Sequence, residues 1–147
     1  MKYKRLNGRY LRSLYKLGEQ QFKGEYWFTK GFLRDTVRRR GIYLGAFEHK
    51  KLIGAIYIDL LDRPKAWIFF FDVEKAHRHK GVGSLLLERA ERALPKGFDR
   101  LYVDFEKADK EAVRFYRNHG FKLAGRIEDW FGAGKKGLIY MKKIGNA

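Results

Sequence analysis

Residues 69–94 read FFFDVEKAHRHKGVGSLLLERAERAL, and the segment changes character twice. An apolar, aromatic run ends at Val73, a short polar loop follows, and Arg78-His79-Lys80-Gly81-Val82-Gly83 then opens into a stretch with helical spacing. Val82, Leu85, Leu86, Ala90 and Ala93 fall on one face of the predicted helix. Glu88, Arg89, Glu91 and Arg92 take the other, with Glu88 and Arg92 placed as a favourable i,i+4 pair. The expectation is strand, turn, helix, the helix beginning near Gly81. The first turn of a helix leaves backbone N–H groups without intrahelical partners and carries partial positive charge. Two glycines bare that backbone to a ligand, and Arg78 and Lys80 add full charges at the same place. A phosphate is the natural occupant. The plain alternative is a glycine-rich turn that only joins a strand to a helix.

Two familiar phosphate motifs do not fit. Leu86 stands where the third glycine of the dinucleotide fingerprint belongs, and no Gly-Lys-Ser/Thr ending of a P-loop is present. Composition narrows the rest. A chain of 147 residues has room for one domain, expected over residues 1–147, and an apolar content of 45% with 16% aromatics sets disorder aside. No run of apolar residues is long enough to span a membrane and no leader pattern is visible, so a cytoplasmic location without membrane association is expected. The absence of cysteine excludes disulfides, thiolate catalysis and cysteine-based zinc sites, and His77-x-His79 is poor support for a metal, so none is expected. The formal net charge is +16, and residues 1–51 hold 14 Lys and Arg against 4 Asp and Glu. Such asymmetry suits nucleic acid, an acidic partner or a polyanionic cofactor; it equally suits a solvated surface, and richness in Lys, Arg and Glu resembles heat-adapted proteins.

Along the chain, residues 2–6 read as a short strand and residues 9–22 as an amphipathic helix carrying Tyr10, Leu11, Leu14, Tyr15, Leu17 and Phe22. Thr29 is a candidate N-cap for a second helix reaching about Arg40. Strands are expected over residues 42–47 and 52–61 as a hairpin, then over 66–73, 100–105, 121–128 and 138–144. Asp109 suits the N-cap of a further helix, and Gly120 suits its left-handed C-terminal position. The strand, helix, strand unit after Ala66 calls for one parallel pair, and the rest can be antiparallel.

Arg78-x-x-Gly81-x-Gly83, preceded by Val73 and followed by Leu85-Leu86-Leu87, resembles the acetyl-coenzyme A motif of the GNAT N-acetyltransferase superfamily, Q/R-x-x-G-x-G/A. Residues 109–121, DKEAVRFYRNHGF, resemble its other signature, N-x-x-A-x-x-F/L-Y-x-x-x-G-F, at every position but the first. The two stand in the expected order with one strand between them. The resemblance implies an α/β (α+β) GNAT fold, a mixed, mostly antiparallel sheet of about six to seven strands flanked by about four helices.

It also implies chemistry: direct transfer of an acetyl group from acetyl-CoA to a primary amine. A protein N-terminus or a lysine is the favoured acceptor, because residues 125–143 loosely resemble the subgroup acting on protein N-terminal amines. By the same resemblance, the backbone of Phe71, Asp72 and Val73 binds the pantetheine and acetyl groups, and Arg78, His79, Lys80, Gly81, Val82, Gly83 and Ser84 cradle the pyrophosphate. Tyr116 becomes the general acid that protonates the departing thiolate, against the plain alternative of a ring packed at a helix face. Asp104 aligns with a glutamate that serves as base in acetyltransferases of ribosomal-protein N-termini; being one carbon shorter, it needs a relaying water. Asp72 and Glu106 are alternative bases, and each of the three carboxylates has the plain alternative of pairing with a basic neighbour. Asp109 stands in place of an asparagine that contacts the coenzyme; it can cap the helix, but its charge near phosphates is unfavourable.

Tyr26, Trp27 and Phe28 fall where related enzymes place the acceptor-binding loop, and Trp130-Phe131 falls in the final hairpin, so these aromatics line an acceptor groove or the seam of a homodimer. An acidic acceptor suits the basic first third better than a small cationic amine or polyamine. Two other classes stay open. One is a nucleic-acid-binding module, although no helix-turn-helix, zinc finger or RNP-type motif is visible. The other is a GNAT fold that senses acetyl-CoA without transferring it.

Overall fold

The computed structural model describes residues 1–25 and 27–145. In chain order the elements are β1 (Lys2–Arg5), a 3-10 turn (Gly8–Tyr10), α1 (Leu11–Phe22), α2 (Lys30–Thr36), β2 (Gly41–Glu48), β3 (Lys51–Leu60), β4 (Lys65–Val73), a 3-10 turn (Lys75–His77), α3 (Val82–Arg92), β5 (Arg100–Glu106), α4 (Lys110–Asn118), β6 (Lys122–Ile127) and β7 (Gly137–Lys143). The seven strands form a mostly antiparallel sheet in the order β1-β2-β3-β4-β5-β7-β6. β4 and β5 are the expected parallel pair, as the crossover through α3 requires. The chain divides into two compact units, one of residues 1–60 and 69–94, the other of residues 61–68 and 95–147.

In the first unit β3 is buried without a break over residues 52–58, which tells that both of its faces are covered. α3 lies against it, close enough at Gly54 that a side chain there would begin 3.0 Å from Leu86 Cδ1. On α1, Leu14 and Leu17 join Leu33, Phe47, Tyr57 and Phe70 in a second apolar cluster. α3 buries Val82, Leu86, Leu87 and Ala90. Ala93, expected on that face, is exposed because the helix ends at Arg92, and Leu87 takes the place given to Leu85. The Glu88–Arg92 pair forms at 2.6 Å.

α2 starts as expected, with Thr29 Oγ1 accepting from the Phe32 N–H at 3.0 Å, but stops at Thr36, four residues before the expected end. Its carbonyls are taken from elsewhere: the Thr36 hydroxyl donates to the Phe32 carbonyl and the Tyr43 hydroxyl, from β2, donates to the Thr36 carbonyl, both at 2.8 Å. A tertiary donor satisfies groups that a further turn would have used.

In the second unit β5 alternates cleanly. Leu101, Val103 and Phe105 are buried, while Arg100, Tyr102, Asp104 and Glu106 are half-buried on the other face. α4 covers the buried face with Tyr116, stacked on Phe105 at 5.4 Å and 13°. Asp109 Oδ1 caps α4 by accepting from the Ala112 N–H at 3.0 Å, and Gly120 sits at φ +89°, both as expected. The parallel ladder is short, pairing Lys65–Ile68 of β4 with residues 100–103 of β5. Among the described residues no helix is long and apolar enough to cross a membrane.

Candidate active site

The first unit carries the loop between β4 and α3. Glycine takes the left-handed conformation at Gly81 (φ +85°) without strain, and His79 (φ +61°) adopts it as well, so the loop curls tightly into the helix. Gly81 is the N-cap of α3, no side chain caps the helix, and nothing lies within 4 Å of the position a Cβ would take there. An eleven-residue helix thus presents its N-terminus openly beside Lys80, which is exposed. Val82 is buried, so its contribution to a ligand is confined to its backbone; Gly83 and Ser84 are half-buried. This arrangement fits a phosphate-bearing coenzyme.

Arg78 is turned the other way. Its Nε donates to the Val73 carbonyl at 2.8 Å, and its Nη2 lies 3.2 Å from both Asp72 Oδ1 and Gln21 Oε1. The guanidinium ties the loop to the end of β4 and to α1. Asp72 follows the plain alternative: it is 4% exposed and paired with Arg78. Burial pushes its carboxyl up to about 6, against the pull of the Arg78 charge and hydrogen bonds. That leaves its backbone, with those of Phe71 and Val73, as the expected contact with the coenzyme. Gln21 was not anticipated; no local pattern marks it, since its partner is 57 residues away.

The second unit holds the other cluster. Asp104 Oδ1 accepts from Trp67 Nε1 and Asp104 Oδ2 from Trp130 Nε1, each at 2.9 Å. Trp67, from β4, stacks on Tyr102 at 5.6 Å and 13°. Trp130, from the loop before β7, is 53% exposed. Both oxygens of one carboxylate are therefore fixed by indole donors, one of them in solvent. Trp67 was missed, and its signal was the strand register: Trp67 pairs with Tyr102, two residues before Asp104 and on the same face.

Tyr116 lies on the opposite face of β5, packed by Phe105, Phe115 and Phe121 and 7% exposed. Burial, and after it the charges of Asp109 and Asp104, raise its pKa above the ordinary value, so the hydroxyl stays protonated at neutral pH. Asp109 is committed to capping α4. Glu106 is half-buried on the face of Asp104.

The aromatics expected around an acceptor separate. Tyr26 lies outside the described residues. Phe28 is a correction: it is 6% exposed and stacked on Tyr15 at 5.1 Å and 5°, so it belongs to the core, because the loop turns its ring inward. Trp27 is half-buried against Phe22 and Phe32, and Trp130 is exposed. Among the described residues no group of three or more His, Cys, Asp or Glu is placed to hold a metal ion.

Comparison with known proteins gives a consistent picture. The model of a family described as acetyltransferase (GNAT) family matches residues 9–121. An aminoglycoside 6'-N-acetyltransferase complexed with coenzyme A superposes with a TM-score of 0.89 at 16% identity, covering 100% of this chain and 99% of that one. The ribosomal-protein-S18-alanine N-acetyltransferase from Escherichia coli gives 0.84 at 18% identity, covering 99% and 95%. The PaiA N-acetyltransferase from Thermoplasma acidophilum, in complex with coenzyme A, gives 0.78 at 23% identity, covering 97% and 98%. At such identities the likeness is one of fold.

Proposed function

Because the chain belongs to the acetyltransferase (GNAT) family and is an acetyl-CoA-dependent acetyltransferase acting on an amine, we propose that its acceptor is the primary amine of a polypeptide, an N-terminus or a lysine. The observation that carries this is Asp104: a half-buried carboxylate with both oxygens oriented, beside an exposed indole on the loop before β7. Acetyl-CoA supplies an acetyl group activated as a thioester. An alkylamine with a pKa of ~10 is almost wholly protonated at neutral pH, so a base must take its proton. Asp104 does so, through a water that makes up for its short side chain.

The open N-terminus of α3, with Lys80, Gly81, Gly83 and Ser84, receives the pyrophosphate, and the backbone of residues 71–73 receives the pantetheine. Tyr116 donates its hydroxyl proton toward the departing thiolate. A thiol has a pKa of ~8.5, below that of a buried tyrosine, so the hydroxyl acts chiefly as a hydrogen-bond donor and its contribution is smaller than that of the base. Residues 1–147 serve as one catalytic domain in the cytoplasm. A polycationic small amine, such as the acceptor named for the aminoglycoside relative, suits a chain of net charge +16 poorly.

Acetyl-CoA binding by calorimetry, in the wild type and in Gly83→Glu, tests the coenzyme half; saturable binding lost in the variant is expected. Thiol release with amine-bearing peptides tests the acceptor half, and the chain has no cysteine to interfere with a thiol reagent. Turnover of aminoglycosides in preference to every peptide would overturn the polypeptide assignment.

A further inference from the structure

The loop between β5 and α4 and the loop before β7 enclose an open cleft of about 420 Å³ lined by Glu106, Lys107, Lys110, Lys135 and Lys136, together with Ala108 and Gly134. Its volume falls in the range of ~300–1,000 Å³ usual for ligand sites, and the charged residues that line it are mostly lysines, whose stems supply apolar wall. Four lysines and one glutamate are among the lining residues. Lys136 pairs with Glu128 at 3.2 Å; among the described residues no carboxylate pairs with Lys107, Lys110 or Lys135. Like charges gathered around a concavity raise one another's energy, and a ligand of opposite charge relieves that repulsion.

The two walls are held in place. The Lys107 N–H donates to the Lys136 carbonyl at 2.9 Å, linking one loop to the other. Within the second loop the Gly134 N–H donates to Asp129 Oδ1 at 2.7 Å and the Lys135 N–H to the Gly132 carbonyl at 2.9 Å. The lysines are therefore carried on a folded frame.

The position of the cleft names its ligand. Glu106 lies two residues beyond Asp104 on the same face of β5, a distance of about 7 Å at ordinary strand rise. Trp130, which donates to Asp104, belongs to the same loop as Lys135 and Lys136. An anionic centre that attracts an ammonium is thus followed, one or two residues of extended chain further on, by a cationic pocket. We propose that this cleft binds carboxylate side chains of the acceptor polypeptide, selecting amines followed within one or two residues by Asp or Glu. The proposal rests on Asp104 receiving the amine, as assigned above. It disfavours polycations, whose second charge would meet the lysines.

The test compares three peptides with free N-termini, of sequences Ser-Glu-Glu, Ser-Ala-Ala and Ser-Lys-Lys followed by a common neutral tail. With wild-type protein the glutamate peptide should exceed the alanine peptide in kcat/KM by about tenfold, and the advantage should shrink as salt is raised. In the triple variant Lys107→Ala, Lys110→Ala, Lys135→Ala it should disappear, the loss lying in KM for the peptide. The charge reversal Lys110→Glu with Lys135→Glu should pass the preference to the lysine peptide. Equal rates for all three peptides in the wild type would overturn the proposal. So would a rise in KM for acetyl-CoA in place of the peptide, because the cleft would then belong to a coenzyme phosphate. If no peptide is turned over, the polypeptide acceptor itself fails, and binding still decides the cleft: anisotropy of a labelled glutamate peptide at low salt should show affinity lost in the triple variant, whereas equal affinity for the alanine peptide overturns it.

Discussion

Asp72 and Asp104 stand near the ends of two adjacent strands and are treated in opposite ways. Asp72 is enclosed, its charge answered by one arginine, and its carboxyl is pushed up to about 6. Asp104 keeps contact with solvent and has both oxygens held by neutral donors. A carboxylate meeting an arginine is an anchor, because the pair neutralises itself and leaves nothing to offer a substrate. A carboxylate held only by neutral indoles has no cation of its own, which leaves it to meet an ammonium. The difference is the ground for proposing a structural role for one aspartate and a chemical role for the other.

The largest effect expected from this contrast is on turnover. Asp104→Asn preserves shape and removes the base, so kcat should fall about 100- to 1,000-fold with KM for acetyl-CoA unchanged, within the range of general-base contributions. Steady-state kinetics with a saturating peptide acceptor measures it. A fall below tenfold would move the base elsewhere, Glu106 being the next carboxylate on that face.

The counterpart at Asp72 appears in stability. Its carboxyl binds a proton more tightly in the folded chain than in the unfolded one, where its value is the ordinary 3.8. Below that value both states are protonated; between it and about 6 the unfolded state ionises first, so stability falls as pH rises through the window. The loss from this group is on the order of 2–3 kcal/mol. Denaturant unfolding at several pH values from 4 to 7 should show wild type losing stability relative to Asp72→Asn across that window. Parallel curves would mean that Arg78 already holds the carboxylate ionised.

How much of this could be read from residues alone follows the distance between partners. The turn into α3, the Asp109 cap, the Gly120 ending and the single parallel pair are encoded within a few residues or by one crossover, and all were legible. The end of α2 was not, because the hydroxyl that closes it comes from Tyr43 on the next strand. Phe28 read as a groove aromatic because a sequence shows a ring's identity and not the side to which its loop turns it. The motif that carries Arg78 is local and could be read, whereas Gln21, whose amide oxygen accepts from the guanidinium, is 57 positions distant and could not. Trp67 lies 37 residues before Asp104, and only strand register joins them.

Tyr116→Phe comes next, with kcat falling about 10- to 100-fold, since a hydrogen bond to a charged group contributes roughly 1.5–3 kcal/mol and this hydroxyl is a poor acid. If Tyr116→Phe and Asp104→Asn together abolish turnover while acetyl-CoA still binds, the two residues serve chemistry and not the ligand.

The smallest effects separate the two indoles. Trp67→Phe keeps the ring on Tyr102 and deletes the donor to Oδ1 at a half-buried site, where water replaces it poorly; kcat should fall about five- to tenfold. Trp130→Phe deletes the donor to Oδ2 where the indole is 53% exposed, so solvent takes its place and the fall should be about twofold. Each value alone could come from a general loosening of the unit. A double-mutant cycle removes that ambiguity: in an Asp104→Asn background the cost in kcat of Trp67→Phe should vanish, because no base remains to be oriented. Additive losses would mean that Trp67 supports the strand and not the carboxylate, and the contrast between the two aspartates would then rest on burial alone.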